Sequence, residues 1–383
     1  MTTLSFNNIE FTKKDDRLEV CFLKIFKADM PLSSHEVSKH SITVDSESRF
    51  MMHLDQALKN LTNTMTGKPA VYIHRNSGIP LVGSGEFGIV DRGTSLLEVK
   101  PITSCNLSCI YCSIDQDRRM IDFVVEADYL VDEFRKIADF KDCPLEAHIG
   151  TQGEPLLYAD ILHLIEGLDN IEQVERISMD TNATMLTKRM VDDLVKAGLT
   201  QFNVSLNSIT KKTADTLAGK PYPVKHVKEM CSYIAKKADL TLAPVYVPGF
   251  NDDELGRIVE FGKRLKARVG IQNFLNYRFG RNPVRQLPWP KFYSMLRKLE
   301  RQHDMKLIFK PEDFNIRPCK QLPKPFKKGD IIKAEIVCPG RLPNESIGVA
   351  EGRNITIIGC RSSGSCRVKI LRSKHNIFYG KKY

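Results

Sequence analysis

The chain has 383 residues, of which 42% are hydrophobic and 27% charged, a composition that excludes disordered, fibrous and collagenous classes and leaves room for two or three domains. No apolar run approaches the ~20 residues of a membrane span, and the N-terminus, MTTLSFNNIEFTKKDD, lacks the apolar core of a secretory signal. A cytoplasmic location is expected, with ten cysteines kept reduced and used for metal rather than disulfides. The net charge is +11, and Lys320 to Tyr383 alone hold 14 Lys/Arg against 4 Asp/Glu. Such asymmetry points to a polyanion partner, most simply nucleic acid; the alternative is a solvated basic surface.

Residues 1–93 read as a small α+β accessory segment. Leu18–Phe26 has strand character. Ser48–Leu61 reads as a helix with Met51, Leu54, Leu58 and Leu61 on one face. Ala70–Ile73 and Gly88–Val90 read as short strands. Gly83–Gly88 matches G-x-G-x-x-G, but no helix follows and Asp91-Arg92-Gly93 indicates a turn. A hairpin is therefore expected, not a dinucleotide loop. His35, His40, His53 and His74 are scattered, and nothing marks them as ligands.

Leu96–Ile102 reads as a strand, and the loop after it carries Cys105, Cys109 and Cys112 in a C-x3-C-x2-C pattern. Three thiols on one short polar loop are soft ligands for an iron–sulfur cluster or zinc, or else small buried apolar residues. Structural zinc wants paired C-x2-C units and a fourth ligand, and neither is near. Three thiolates would leave one iron of a cluster open to something other than protein.

Strand and helix then alternate. Phe123–Phe140 reads as an amphipathic helix, followed by strand Leu145–Gly150, helix Ala159–Leu168, strand Arg176–Asp180 and helix Thr187–Ala197. Strand Gln201–Leu206 leads into helical sequence through Lys237. Strand Leu240–Val247, helix Asp252–Ala267, strand Gly270–Asn276 and helix Trp289–His303 complete the series. Units of this length predict a parallel sheet with right-handed crossovers, either a partial barrel or an open doubly wound sheet.

The cysteine pattern after a first strand, with Tyr111 before the last thiol, resembles the signature of the radical S-adenosylmethionine (radical SAM) superfamily. The resemblance implies a partial TIM-like (β/α)6 barrel and a [4Fe-4S] cluster on Cys105, Cys109 and Cys112. It also implies S-adenosylmethionine on the open iron and its cleavage to a 5′-deoxyadenosyl radical. Other strand ends fit it. Gly150–Pro155 resembles the family's G-G-E-P motif, with Gln152 in place of its first glycine; Gly153 and Glu154 would then serve the methionyl ammonium. Thr181-Asn182-Ala183-Thr184 resembles T-N-G-T; alanine replaces glycine, so the turn is expected to avoid positive φ. Ser205 and Asn207, in Val204–Ser208, resemble the polar stretch that contacts ribose or carboxylate. Asn182 and Asn207 are equally readable as helix caps. Val247-Pro248-Gly249-Phe250-Asn251-Asp252 resembles P-G-x-N-D, with Val247 and Pro248 suited to an adenine face. Asn276–Asn282 carries Tyr277, Phe279, Arg278 and Arg281, which would clamp a nucleotide or form a solvated loop.

After a Pro/Lys linker, Pro318–Lys328, short strands at 331–337, 346–350, 354–358 and 367–371 predict a small β-barrel. Its K-x-G-D-x-[IV] and G-V-A-x-G-R wording resembles a TRAM domain, an RNA-binding barrel of tRNA and rRNA modification enzymes. Cys319, Cys338, Cys360 and Cys366 are buried thiols or a second metal site. Only Cys21 precedes Cys105, so the N-terminal cluster of methylthiotransferases is absent.

The expected organisation is an accessory segment (1–93), a radical SAM core (94–317) and a basic TRAM-like barrel (318–383). The expected activity is radical modification of a nucleoside in tRNA or rRNA, with ferredoxin or flavodoxin as electron donor. The alternatives are a small-molecule or peptide substrate with an auxiliary cluster, and a non-catalytic Fe–S RNA-binding protein.

Overall fold

The computed structural model describes every residue except 33–35, 151 and 361–362, so His35 and Thr151 lie outside the described residues. Among these residues no helix is long and apolar enough to cross a membrane.

The N-terminal segment forms two sheets. A three-stranded antiparallel sheet contains Thr2–Ser5, Ser41–Val44 and Glu36–Val37. A six-stranded sheet contains Ile9–Lys14, Arg17–Phe22, Phe26–Pro31, Leu61–Asn63, Pro69–Ile73 and Asp122–Val125, in that spatial order. The helix is Glu47–Leu58, started by Ser46, whose hydroxyl accepts from the Arg49 N–H. It buries Phe50, Leu54 and Ala57. Met51 is 43% exposed, so the expected apolar face is rotated by one residue; Leu61 already belongs to the next strand.

The start of the expected helix Phe123–Phe140 is a strand. Asp122–Val125, wholly buried, pairs in parallel with Ala70–Ile73, and the helix runs Ala127–Lys141. Phe123, Val124 and Val125 fit a pleated interior better than a helix turn. The cysteine loop thus hangs between two sheets, entering from one and leaving into the other.

The core sheet has six parallel strands: Leu96–Lys100, Leu145–Ile149, Val174–Thr181, Gln201–Val204, Asp239–Leu242 and Arg268–Val269. Gly88–Asp91 adds antiparallel to the first, as the expected hairpin. The architecture is a partial, half-barrel α/β sheet. Its last two strands are shorter than expected. Pro244 interrupts the fifth, and the chain resumes at Val245–Tyr246, paired with Gln272–Asn273 in a separate two-stranded patch. The helical sequence before Lys237 is two helices, Lys211–Ala218 and Val224–Ile234, divided at Gly219 with φ 65°.

The C-terminal residues close a five-stranded barrel in the order Ile331–Pro339, Glu345–Ala350, Arg353–Ile358, Tyr379–Lys382, Gly364–Arg372. The last strand, Tyr379–Lys382, is not evident in the sequence. Its core is Phe326, Ala334, Ile355, Ile357, Val368, Ile370 and Phe378. The linker before it is laid along the half-barrel. The Cys319 N–H donates to Gly93 O at 2.9 Å, and Cys319 is bonded to Cys143. That corrects the expectation that no cysteine is paired. Of the other late cysteines, Cys360 is buried and Cys338 and Cys366 are partly buried.

The Gly83–Gly88 loop docks this barrel. A Cβ on Gly83, at φ 124°, would lie 2.2 Å from Asn354 O, and Gly83 O accepts from the Phe378 N–H at 2.9 Å. Glu86, 1% exposed, meets Arg341 Nη2 at 3.2 Å and accepts from Tyr379 Oη at 3.3 Å.

Candidate active site

The three cysteines, Tyr111, Gly153, Glu154, Asn182 and Ser205 line one cavity of about 270 Å³ at the C-terminal ends of the core strands. Parallel α/β folds place their chemistry there because the loops at those ends converge. The loop is braced on several sides. The Ser108 N–H donates to Ala218 O and the Ile110 N–H to Leu217 O, each at 3.0 Å. Arg281, from the loop after the sixth strand, donates to Ser108 Oγ at 2.6 Å and Ser108 O at 3.0 Å, and pairs with Asp115 at 2.9 Å and Asp117 at 2.8 Å. Arg281 therefore serves the cysteine loop itself rather than a solvated surface. Behind the loop, buried Asn63 of the N-terminal segment donates to Ser104 Oγ at 2.9 Å and Asp122 at 2.7 Å.

Gly153 lies against the chain entering that loop. A Cβ there would be 2.3 Å from Ser104 O and 2.7 Å from Thr103 O, so only glycine fits. The Glu154 N–H donates to Ser104 O at 2.8 Å. Its carboxylate accepts from Thr181 Oγ1 at 2.6 Å, the Asn182 N–H at 2.8 Å and the Leu156 N–H at 3.2 Å, stitching the second strand end to the third. Burial pushes its carboxyl up to about 7, only partly offset by those bonds.

Asn182 Nδ2 donates to Asn106 Oδ1 at 2.8 Å, and its own Oδ1 accepts from the Thr184 N–H at 3.0 Å. Asn182 thus organises its turn and also reaches the cysteine loop. Ala183 has φ 59°, contrary to the expectation that alanine would avoid the left-handed region. The turn needs that conformation to aim Asn182 inward, and the fully buried methyl is held in it by its neighbours.

Asn207 stands just outside the cavity wall. Its Nδ2 donates to Tyr111 Oη at 2.6 Å, and its Oδ1 accepts from the Val245 N–H at 2.7 Å. It positions Tyr111 and the fifth strand. Val247 is fully buried beside Leu217 and Phe274 and does not face the cavity. Val245 supplies that apolar wall instead, because the break at Pro244 turns the chain. Gln116, Asp180, Gln272 and Asn273 line the cavity without any sequence motif marking them.

The donor set fits the expected groups. Three soft thiols line one cavity, a donor set suited to an iron–sulfur cluster with one iron left open to a non-protein ligand. Burial pushes the Cys109 thiol up to about 12 and the Cys105 thiol upward as well, so loading metal releases protons. The carboxamide oxygens of Gln116, Gln152 and Asn273 are buried without a hydrogen-bond partner among the described residues. Three orphaned acceptors at one cavity suit an ammonium donor.

A fold of six parallel strands with a three-thiol loop after the first defines an iron–sulfur enzyme of the half-barrel kind. The chain belongs to the radical SAM superfamily, which matches residues 99–262. It binds a [4Fe-4S] cluster and S-adenosylmethionine, as members of that family do. It is 35% identical over 356 residues to uncharacterized protein MJ0103 of Methanocaldococcus jannaschii, covering 83% of this chain and 82% of that one. It is 30% identical over 208 residues to GTP 3′,8-cyclase of Thermodesulfovibrio yellowstonii, spanning 52% of this chain and 60% of the enzyme. Among solved structures, Streptococcus suis SuiB bound to S-adenosylmethionine superimposes with a TM-score of 0.46 at 14% identity, over 80% of this chain and 72% of that one.

Proposed function

We propose that this enzyme modifies a nucleoside in tRNA or rRNA, recruited by a C-terminal barrel that acts as a TRAM-type RNA-binding module. One observation carries the reading. On the barrel surface Lys333 lies directly opposite Arg367, and Lys369 opposite Lys381, all exposed. Like charges facing each other across strands destabilise a sheet, and a polyanion relieves that repulsion. When bound, the cluster and S-adenosylmethionine supply a 5′-deoxyadenosyl radical after one-electron reduction by a ferredoxin or flavodoxin. This chain's residues hold and orient. Cys105, Cys109 and Cys112 ligate; Gly153 and the acceptors of Gln116, Gln152 and Asn273 receive the methionyl ammonium; Ser205 and Asn182 face the remaining polar groups. Glu154 and Asn207 position those loops, and Val245 offers the apolar face. A free nucleotide is the second reading, favoured by the likeness to GTP 3′,8-cyclases.

The test is binding of bulk tRNA and rRNA across a salt series. Wild-type affinity should fall steeply with salt, and changing Lys333, Arg367, Lys369 and Lys381 to Gln should flatten that slope by about 0.7–0.9 per lost phosphate contact. Absence of salt-dependent binding by the wild type overturns the RNA reading in favour of the nucleotide one.

A further inference from the structure

A second and larger space, about 820 Å³, lies between the half-barrel and the C-terminal barrel. Ser113, Gln152, Asp180, Gln272 and Tyr277 line both it and the cluster cavity, so the two communicate. Five cationic side chains line the larger space: Arg92, Lys100, Arg278, Arg341 and Arg372, against the carboxylates of Glu98 and Asp180.

Those acids are already matched. Burial pushes the Glu98 carboxyl up, but Lys100 at 3.0 Å and Arg92 outweigh it and hold it at about 2. Asp180 meets His148 at 3.3 Å and accepts from Asn203 Nδ2 at 3.0 Å. Arg341 faces Glu86, yet its Nε and Nη1 are buried with no partner among the described residues. Among the described residues Arg278, from the half-barrel, and Arg372, from the barrel, make no ion pair; each guanidinium instead stacks on an aromatic ring, Phe279 at 5.1 Å and Tyr379 at 5.9 Å. Stacking steers a guanidinium while leaving its N–H fork free for an oxyanion.

We propose that this inter-domain cavity binds the phosphate ester of the substrate, with Arg278 and Arg372 as its anchors and Arg341 behind them. The phosphate sits between the domains and the attached nucleoside passes Tyr277 toward the cluster cavity. Both domains then build one substrate site, and the barrel is part of the active site as well as a recruiting surface. The nucleoside portion rests on the function proposed above; the phosphate portion stands on the cavity's own charge.

The test uses the full-length, cluster-loaded protein and equilibrium dialysis with the four nucleoside 5′-monophosphates and their parent nucleosides. At least one monophosphate should bind about tenfold or more tightly than its nucleoside, and Arg278→Gln and Arg372→Gln should each weaken it about tenfold. Arg278→Lys should recover part of the loss, and unchanged visible absorbance per chain reports an intact core. A measurement without variants runs alongside: monophosphate should protect Arg278 and Arg372 of the wild type from phenylglyoxal, located by peptide mass spectrometry. Monophosphates that bind no better than nucleosides, or arginines that stay unprotected, overturn the proposal. Bulk tRNA distinguishes the sources. Retained tRNA binding with no nucleotide discrimination sinks the cavity site and leaves the RNA reading standing. Nucleotide binding without tRNA binding keeps the site and makes its ligand a free nucleotide.

Discussion

The carboxylate of Glu154 accepts from Thr181, Asn182 and Leu156 where almost no water reaches it. Glu154→Ala strands those donors, and urea denaturation should show a loss of about 3 kcal/mol or more. Calorimetry should show weaker S-adenosylmethionine binding through the displaced strand ends. The pH dependence has a defined sign. Because burial raises the folded-state pKa to about 7 from an ordinary 4.5, the group's contribution is full below pH 4.5 and is lost as pH rises to about 7. Stability of the wild type relative to Glu154→Gln should therefore decline across that window and level off above it; a difference independent of pH would show that the carboxyl is not raised. Ala183, at φ 59° and fully buried, makes a second case. Ala183→Gly should be tolerated within about 1 kcal/mol, since relief of the left-handed penalty offsets the lost methyl. Ala183→Val, β-branched and larger, should lower the urea midpoint sharply.

At the scale of elements, the cysteine loop depends on the loop after the sixth strand, because Arg281 joins them through Ser108, Asp115 and Asp117. Arg281→Gln should speed removal of iron by a chelator several-fold while the freshly loaded protein still carries about four irons per chain. Cys109→Ala should fail to load at all. Iron release at the wild-type rate in Arg281→Gln would mean the clamp is idle. The thiol loop is legible in the sequence because its ligands are local, three within eight residues after an apolar run. Gly153 and Asn182 are legible for the same reason, each inside a short strand-end pattern. Asp122–Val125 is not, since its pairing partner lies some fifty residues earlier and the apolar periodicity runs on smoothly into the helix. Val245 is masked by Pro244, which splits what reads as one strand. Gln116 and Asn273 belong to loops whose residue types carry no spacing rule, so only the fold brings them together. The left-handed Ala183 shows a turn's geometry prevailing over residue preference.

The whole molecule is held as one body by a loop that resembles a nucleotide motif and instead seats a domain. Glu86 faces Arg341, Thr356 and Tyr379 of the barrel, and Ile347 of the barrel belongs to the main apolar core. Arg341 holds the Glu86 carboxyl below its usual range against the opposing effect of burial. Glu86→Ala leaves a buried guanidinium uncompensated, a change that typically costs about 3–5 kcal/mol. Limited proteolysis should then cut the linker near Pro323–Pro325 faster than in the wild type. An equally resistant variant would show that apolar contact alone seats the barrel. Removing the barrel outright is the poorer experiment, because it also uncovers the core around Ile347.

The strand Asp122–Val125 carries a consequence in time. During synthesis the N-terminal sheet emerges first, with Pro69–Ile73 as an open edge. That edge stays unpaired until the thiol-bearing segment has left the ribosome and the next four residues dock onto it. Docking draws the loop shut between two sheets, so maturation of the metal centre waits on a module that contributes no ligand to it. A lesion such as Phe26→Ala, buried in that sheet and far along the chain from any thiol of the loop, should first show itself as protein short of iron.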